Sequence, residues 1–418
     1  MDELLHDEAL LAGKTGPIYQ VFGSLFIRNY RLLWLGNLLS STAVWMEQVA
    51  AGWLMLLLSG SPFMVGLASF ARGIPLLLVS PASGVLADRL DRRRLLITNQ
   101  AILVTVALIL AVLIATGWIT PWQLLAGAVV SGITSAMLLP TRQTLVSSLV
   151  GRAHLTNAIA LQSMGNSTTR ILGPSLAGAL IGVIGVMACY FVQAASYVSA
   201  LCLTVSMRTP PNGRDAAGET MWQNLRAGFS YIRADRSVLS ILIMASVTSV
   251  FAMPYTSMLP VLARDVFKVD ASGLGILMTT MGVGSLVGSL ALAAWTAPPR
   301  RGPMVLVSVL VLSLGTVALA LADSYFTACV VMAVIGLANS FALALYNTLI
   351  QVLVPDALRG RVMSAYMMTF GLTPLGALVV GAIAEVGGAP LAIGLGGGIS
   401  AVAAILVAIY FPELRALE

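Results

Sequence analysis

Charge is what this sequence has least of. Only 10% of its 418 residues are charged, against 58% hydrophobic, and the mean hydropathy is +0.93. A water-soluble globular chain carries nearer a quarter charged residues, so that class is excluded and the chain reads as an all-α polytopic membrane protein. Histidine and cysteine are scarce too, with two and three residues. Cys189, Cys202 and Cys329 all fall inside predicted spans, so neither a disulfide framework nor a thiolate metal site is expected. His6 and His154 are both predicted in the cytosol. An enzyme needs a nucleophile with its base, or a metal cluster, and these residues supply neither. The expectation is therefore no enzyme, no metal and no cofactor. No signal-peptide cleavage is expected either: MDELLHDEALLAGKTGP is acidic and polar where a leader would be basic and then apolar. The net charge of +6 would suit nucleic acid, but the basic residues sit in short loops between apolar spans and form no stripe. Topology explains them, and no nucleic-acid partner is expected.

What the chain does have is a succession of apolar runs, most of them longer than the roughly 20 residues that cross the hydrocarbon. They predict twelve transmembrane helices in two pseudo-symmetric six-helix bundles at residues 32–207 and 238–411. Around them lie an N-terminal tail at 1–31, a linker at 208–237 and a C-terminal tail at 412–418, all expected in the cytosol. The linker holds Pro210-Pro211-Asn212-Gly213, five arginines and Trp222, and its second part has the composition of a surface helix. The halves repeat each other: LVSSLVGRA at 145–153 lines up with LIQVLVPDA at 349–357, and Gly84 with its basic loop has a counterpart in Gly288 with Arg300-Arg301. A parallel repeat predicts two bundles about an axis along the membrane normal, with a site between them at mid-depth. Arginines fix the orientation. Arg28, Arg31, Arg89, Arg92 to Arg94, Arg152, the linker group, Arg300, Arg301, Arg359, Arg361 and Arg415 fall on one side, whereas the opposite loops carry only Arg264 and Lys268. Both termini are then cytoplasmic.

The first basic loop, GVLADRLDRRRLL at 84–96, sets a single boundary carboxylate, Asp88, before four arginines within six residues. Gly84 permits close helix approach, and Asp88 with Arg89, Arg92 and Arg93 can form a charged contact in one conformation that breaks in another. The plainer alternative is that these arginines only fix topology. The stretch resembles the signature loop between the second and third helices of the major facilitator superfamily. Trp45-Met46-Glu47-Gln48-Val49-Ala50, Ala71-Arg72-Gly73-Ile74-Pro75, Pro140-Thr141-Arg142 and Arg170-Ile171-Leu172-Gly173-Pro174 are similar to the group of enterobactin exporters and macrolide efflux proteins. That likeness covers nearly the whole chain. Gly173, Pro174 and Gly178 resemble the fifth-helix motif of proton-coupled exporters, where the missing N–H of proline and close glycine packing let the helix bend or seal. The fourth-helix arginine of the antiporters is Ala128 here. The resemblance implies an exporter in the plasma (inner) membrane, a monomer with the bilayer as its surroundings, moving a small amphiphilic molecule by alternating access with the proton gradient as energy source. A lipid or lysophospholipid transporter of the same fold and a non-transporting membrane sensor are the alternatives.

Charges inside the spans are few. Centring one costs about 2.5 to 3.5 kcal/mol on insertion scales, so Glu47, Arg72, Arg142 and Arg170 are expected to face the protein interior or a wet cavity. Counting from the first hairpin turn puts Glu47 and Arg72 at similar depth, within reach of each other. Glu47 is the only carboxylate predicted at mid-membrane, which makes it either the proton carrier or half of a structural ion pair with Arg72. The second bundle offers no charge at that depth, only polar groups such as Asn339, Tyr346 and Asn347.

Overall fold

Hydrogen-bond satisfaction dictates the architecture, because backbone groups in hydrocarbon have no water to bond to and must be paired within helices. In the computed structural model the described residues are 22–89, 91–151, 154–207, 230–295 and 300–417, the side chains of 80–89, 139, 140 and 357 excepted. Among them the chain is helical throughout, without strands. Among the described residues ten stretches are long and apolar enough to cross a membrane.

The chain divides into two compact units, residues 1–51 with 75–216, and residues 52–74 with 217–418. The first contains most of α1 (Arg28–Ser59), the inner part of α2 (Pro62–Arg89), α3 (Arg92–Ala115), α4 (Pro121–Leu149), α5 (Leu155–Val183) and α6 (Val186–Val205). Its core gathers Tyr30, Leu96, Leu103, Leu145, Leu161 and Tyr197. Local signals set the helix starts. Thr120 and Gln123 form a reciprocal capping box with Pro121 in the first turn of α4, which satisfies N–H groups that the helix itself leaves orphaned. Asp91 caps α3 by accepting from the N–H groups of Arg93 and Arg94 at 2.9 and 3.0 Å. The family resemblance gave Asp91 no role; its position at an N-cap explains why a carboxylate follows Asp88 so soon. Arg93 in turn reaches the end of α6, donating to the carbonyls of Thr204 and Val205, where a cation meets the negative end of the helix dipole.

In the second unit the seventh span is not one regular helix. It runs as α7 (Arg236–Val247), a π turn at Thr248–Ala252, α8 (Tyr255–Val261) and a second π turn at Leu262–Val266. Pro254 and Pro260 lack the N–H that would continue an α ladder there. Then follow α9 (Ala271–Ala294), α10 (Arg301–Ala320), α11 (Tyr325–Leu353), α12 (Asp356–Phe370), α13 (Thr373–Tyr410) and the short α14 (Pro412–Arg415). Residues 371–372 interrupt the chain between α12 and α13, and α13 itself runs on through a second apolar run without a loop. Gly388 turns the backbone inside α13 with φ of 82°, a left-handed value that a side chain would strain. Glycines at 60, 117 and 185, with φ of 66°, 73° and 106°, make the turns after α1, α3 and α5 equally short.

Gly284 and Gly336 show how closely α9 and α11 cross. A Cβ on Gly284 would lie 1.9 Å from the carbonyl oxygen of Ala333, and one on Gly336 2.0 Å from that of Met281. Lipid tails are as apolar as leucine, so this backbone contact, and not exclusion from water, holds the pair together. The end of the chain is also packed: Leu414 is fully buried, and Leu417 O accepts from Gly302 N at 3.1 Å. The linker and the N-terminal tail lie largely in 208–229 and 1–21, outside the described residues.

Candidate functional site

In the first unit, α1, α5 and α6 supply the surroundings of Glu47 and Arg170. Glu47 is 5% exposed and accepts a hydrogen bond from Gln193 Nε2 at 3.0 Å. Gln193 went unnoticed in the sequence, since a glutamine within an apolar run carries no spacing signal until a buried acceptor is found opposite. Two residues from Glu47, the ring of Trp45 lies under the guanidinium of Arg170, 5.3 Å from centroid to Cζ. Such a contact is worth about 0.5 kcal/mol when exposed and 2 or more when desolvated, enough to fix where the Arg170 charge sits.

The fifth-helix motif explains how Arg170 comes so near α1. A Cβ on Gly173 would lie 2.4 Å from Trp45 Cβ and 3.1 Å from Thr42 O. Only a residue without a side chain admits that approach. Towards the start of both helices α1 is tied to α5 by side chains that donate to backbone carbonyls, Tyr30 Oη to Ala158 at 2.8 Å and Trp34 Nε1 to Leu161 at 2.9 Å. Pro174 and Gly178 are buried on the same helix. Arg142, on α4, is half-buried, and its Nη2 is enclosed without a hydrogen-bond partner among the described residues. A buried guanidinium N–H with no acceptor is costly, so a ligand carbonyl, a carboxylate or water would stabilise it.

Arg72 belongs to the second unit and is half-buried there, whereas Glu47 belongs to the first. Asn339 is buried in α11; Tyr346 is buried with its ring 6.0 Å from that of Tyr366. Asn347 Nδ2 is spent on the carbonyl of Leu343 at 2.8 Å. Met244, Met278, Met281 and Tyr255 pack inside the unit, with Tyr255 Oη 3.0 Å from Met281 Sδ. Of the basic loop, Arg92 and Arg93 are described; the side chains of Gly84, Asp88 and Arg89 lie outside the described residues.

Residues 52–74, the tip of the first hairpin, carry contacts that the sequence did not disclose. One oxygen of Glu385 accepts from Ser61 Oγ at 2.7 Å and from Phe63 N at 3.0 Å, so a carboxylate on α13 serves the orphan first turn of α2. Arg264 Nη1 donates to Leu56 O at 3.1 Å while its Nε pairs with Asp265 at 2.7 Å. Between these points the helices touch through glycine: a Cβ on Gly66 would lie 2.5 Å from Ala377 O, and one on Gly73 2.0 Å from Pro374 Cγ.

Residues 20–418 match the family described as transmembrane secretion effector. The chain belongs to this family. It is a major facilitator transporter of the efflux group, and neither the family nor the relatives are enzymes. The chain is 29% identical to the staphyloferrin A transporter of Staphylococcus aureus, over 87% of the chain and 89% of that protein. It is 22% identical to macrolide efflux protein A of Streptococcus pyogenes, over 80% and 84%. The fold is shared with a peptide transporter of known structure, with a TM-score of 0.77 over 98% of this chain and 99% of that one at 11% identity. The family resemblance carried by the residues around Glu47, Arg72, Arg142 and Gly173 is thereby borne out, together with an integral membrane location and a small-molecule cargo.

Proposed function

We propose that this effector is a proton-coupled secondary exporter of a small amphiphilic molecule, a drug or a siderophore, working as a monomer by alternating access. The observation that carries the reading is Glu47. A carboxylate 5% exposed at the middle of α1, held by a carboxamide and with a cation stacked two residues away, is costly to bury in a membrane. It suits a group whose charge changes during work, because Gln193 Nε2 can donate to the carboxyl whether it is ionised or not. Loss or gain of that charge alters the field at Arg170, the cation best placed to meet an anionic part of the cargo. The experiment is transport by the purified protein in liposomes with and without an imposed pH gradient, using a siderophore and a macrolide as cargo. Accumulation against the cargo's own gradient only when the pH gradient is present is the expected result. Equal transport with and without it overturns the coupling.

Twelve crossings belong to the same proposal. The ten apolar stretches become twelve when α5, long enough but laden with Asn157, Asn166 and Arg170, is counted, and when the stretch Leu358–Tyr410 is divided at Gly388. An even number of crossings together with the arginine asymmetry supports a cytosolic location for both termini and the linker. In a background lacking Cys189, Cys202 and Cys329, an impermeant thiol reagent applied to intact cells is expected to label a single cysteine at Ser61 and not one at Asn212. The reverse pattern would invert the topology.

Alternating access also needs contacts that part. Glu385 with Ser61 and Phe63, and Arg264 with Leu56, are exposed or half-exposed hydrogen bonds. They are worth about 0.5 to 1.5 kcal/mol each, weak enough to open in every cycle. The double variant Glu385→Ala, Arg264→Ala is expected to raise the labelling rate of a cysteine at Met64 by about tenfold, the equivalent of some 1.4 kcal/mol, with the folded yield unchanged. An unaltered rate would show that this tip does not move.

A further inference from the structure

We propose that the second unit holds one anionic phospholipid, its headgroup at Arg300 and an acyl chain laid in the groove between α10 and α11. The groove is about 730 Å³ in volume, with Trp295 and Arg300 at one end and Val307, Val311, Leu337 and Phe341 along its walls. These apolar side chains are far from covered: Val307 is 58% exposed, and Trp295 49%.

The chemistry of the two ends differs. Arg300 is exposed and its guanidinium makes no hydrogen bond or ion pair with any described residue, and Arg301 follows it. Trp295 beside them is the residue type that settles where headgroups begin. Beyond that end the walls offer a ligand almost nothing polar, since Ser308, which also lines the groove, spends its hydroxyl on the carbonyl of Met304 at 2.7 Å. A water-soluble anion would gain only the arginine and leave the rest of the groove unfilled. An anionic amphiphile matches both parts. The length agrees as well: from Arg300 to Val311 is a rise of about 17 Å at 1.5 Å per residue, close to half of the roughly 30 Å hydrocarbon core, which is one leaflet's acyl chain.

A second groove on the same unit supplies the contrast. It is larger, about 900 Å³, and is lined by Val317, Leu321, Leu391, Leu395 and Leu406 with no charged residue. Any acyl chain can wet it. Nothing there selects a headgroup, so of these two grooves it is the Arg300 groove that can select by charge.

The test is native mass spectrometry of the purified full-length protein incubated with an equimolar mixture of phosphatidylglycerol and phosphatidylcholine of identical acyl chains. The wild type is expected to retain phosphatidylglycerol about fivefold over phosphatidylcholine, the electrostatic weight of one arginine near an anionic lipid surface. Arg300→Gln is expected to reduce that preference to near unity. Val307→Trp, which fills the groove from its exposed side without a buried clash, is expected to remove retention of the bound lipid, whereas Leu395→Trp in the uncharged groove leaves the preference intact. Equal retention of the two lipids by the wild type overturns the proposal. So does a preference that survives both Arg300→Gln and Val307→Trp, or one abolished by Leu395→Trp alone.

Discussion

Glu47→Gln is expected to abolish export driven by a pH gradient, to the level of empty liposomes, while cargo binding and downhill exchange persist. The substitution is nearly isosteric, and the carboxamide oxygen it introduces still accepts from Gln193 Nε2, now 3.0 Å from Glu47. Its structural cost is therefore confined to the difference between a charge-assisted and a neutral hydrogen bond, about 1 kcal/mol. What it removes is the ability to exchange a proton. Transport in proteoliposomes, read beside thermal unfolding in detergent, separates the possibilities. If Glu47 were only half of a structural ion pair, neutralising it would strand a buried cation at a cost of about 3 to 5 kcal/mol, and stability would fall with every mode of transport. Gradient-driven export at wild-type rate by the variant would remove Glu47 from the coupling altogether.

The second large effect concerns packing and requires no view of transport. Gly284→Val is expected to prevent accumulation of folded protein. Its Cβ would sit 1.9 Å from Ala333 O and 2.7 Å from the carbonyl carbon, and backbone has no rotamer with which to yield. Overpacking of a close interface costs about 1 to 3 kcal/mol even where side chains can move, and here α9 and α11 must separate along their length. A helix pair pushed apart in lipid recovers nothing from the hydrophobic effect. Gly398→Val is the matched control, since a Cβ there meets nothing within 4 Å. The measurement is monodisperse yield by size-exclusion chromatography together with thermal unfolding. A normal yield for Gly284→Val would refute the crossing.

Much of this fold was legible in the sequence, because membrane helices are specified by a bulk property: a stretch either can or cannot be placed in hydrocarbon. The spans and the acidic residue isolated at mid-depth in α1 followed from that, and the glycines of α5 from the family resemblance. Features that depend on a partner distant in sequence did not. Gln193 gains meaning only opposite Glu47, and Glu385 only when the first turn of α2 lies against α13. Hydropathy also cannot register a change of helical pitch. The π turns at Thr248–Ala252 and Leu262–Val266 leave the apolar run of the seventh span intact, so the span looked regular. Conversely α5, with its polar load, is not among the ten stretches apolar enough to cross, although its length of 29 residues suffices.

The glycine turns at 60, 117, 185 and 388 have a practical consequence for anyone handling the protein. Each reverses the chain within a few residues, leaving almost no polypeptide beyond the helix ends for a protease to bind in extended form or for an antibody to grip. Proteolysis at these turns is expected to leave the chain whole, and display of an epitope there requires inserted sequence. The place for it is after Gly117, where neither a neighbouring side chain nor backbone lies within 4 Å of a would-be Cβ and the capping box of α4 restarts the helix downstream.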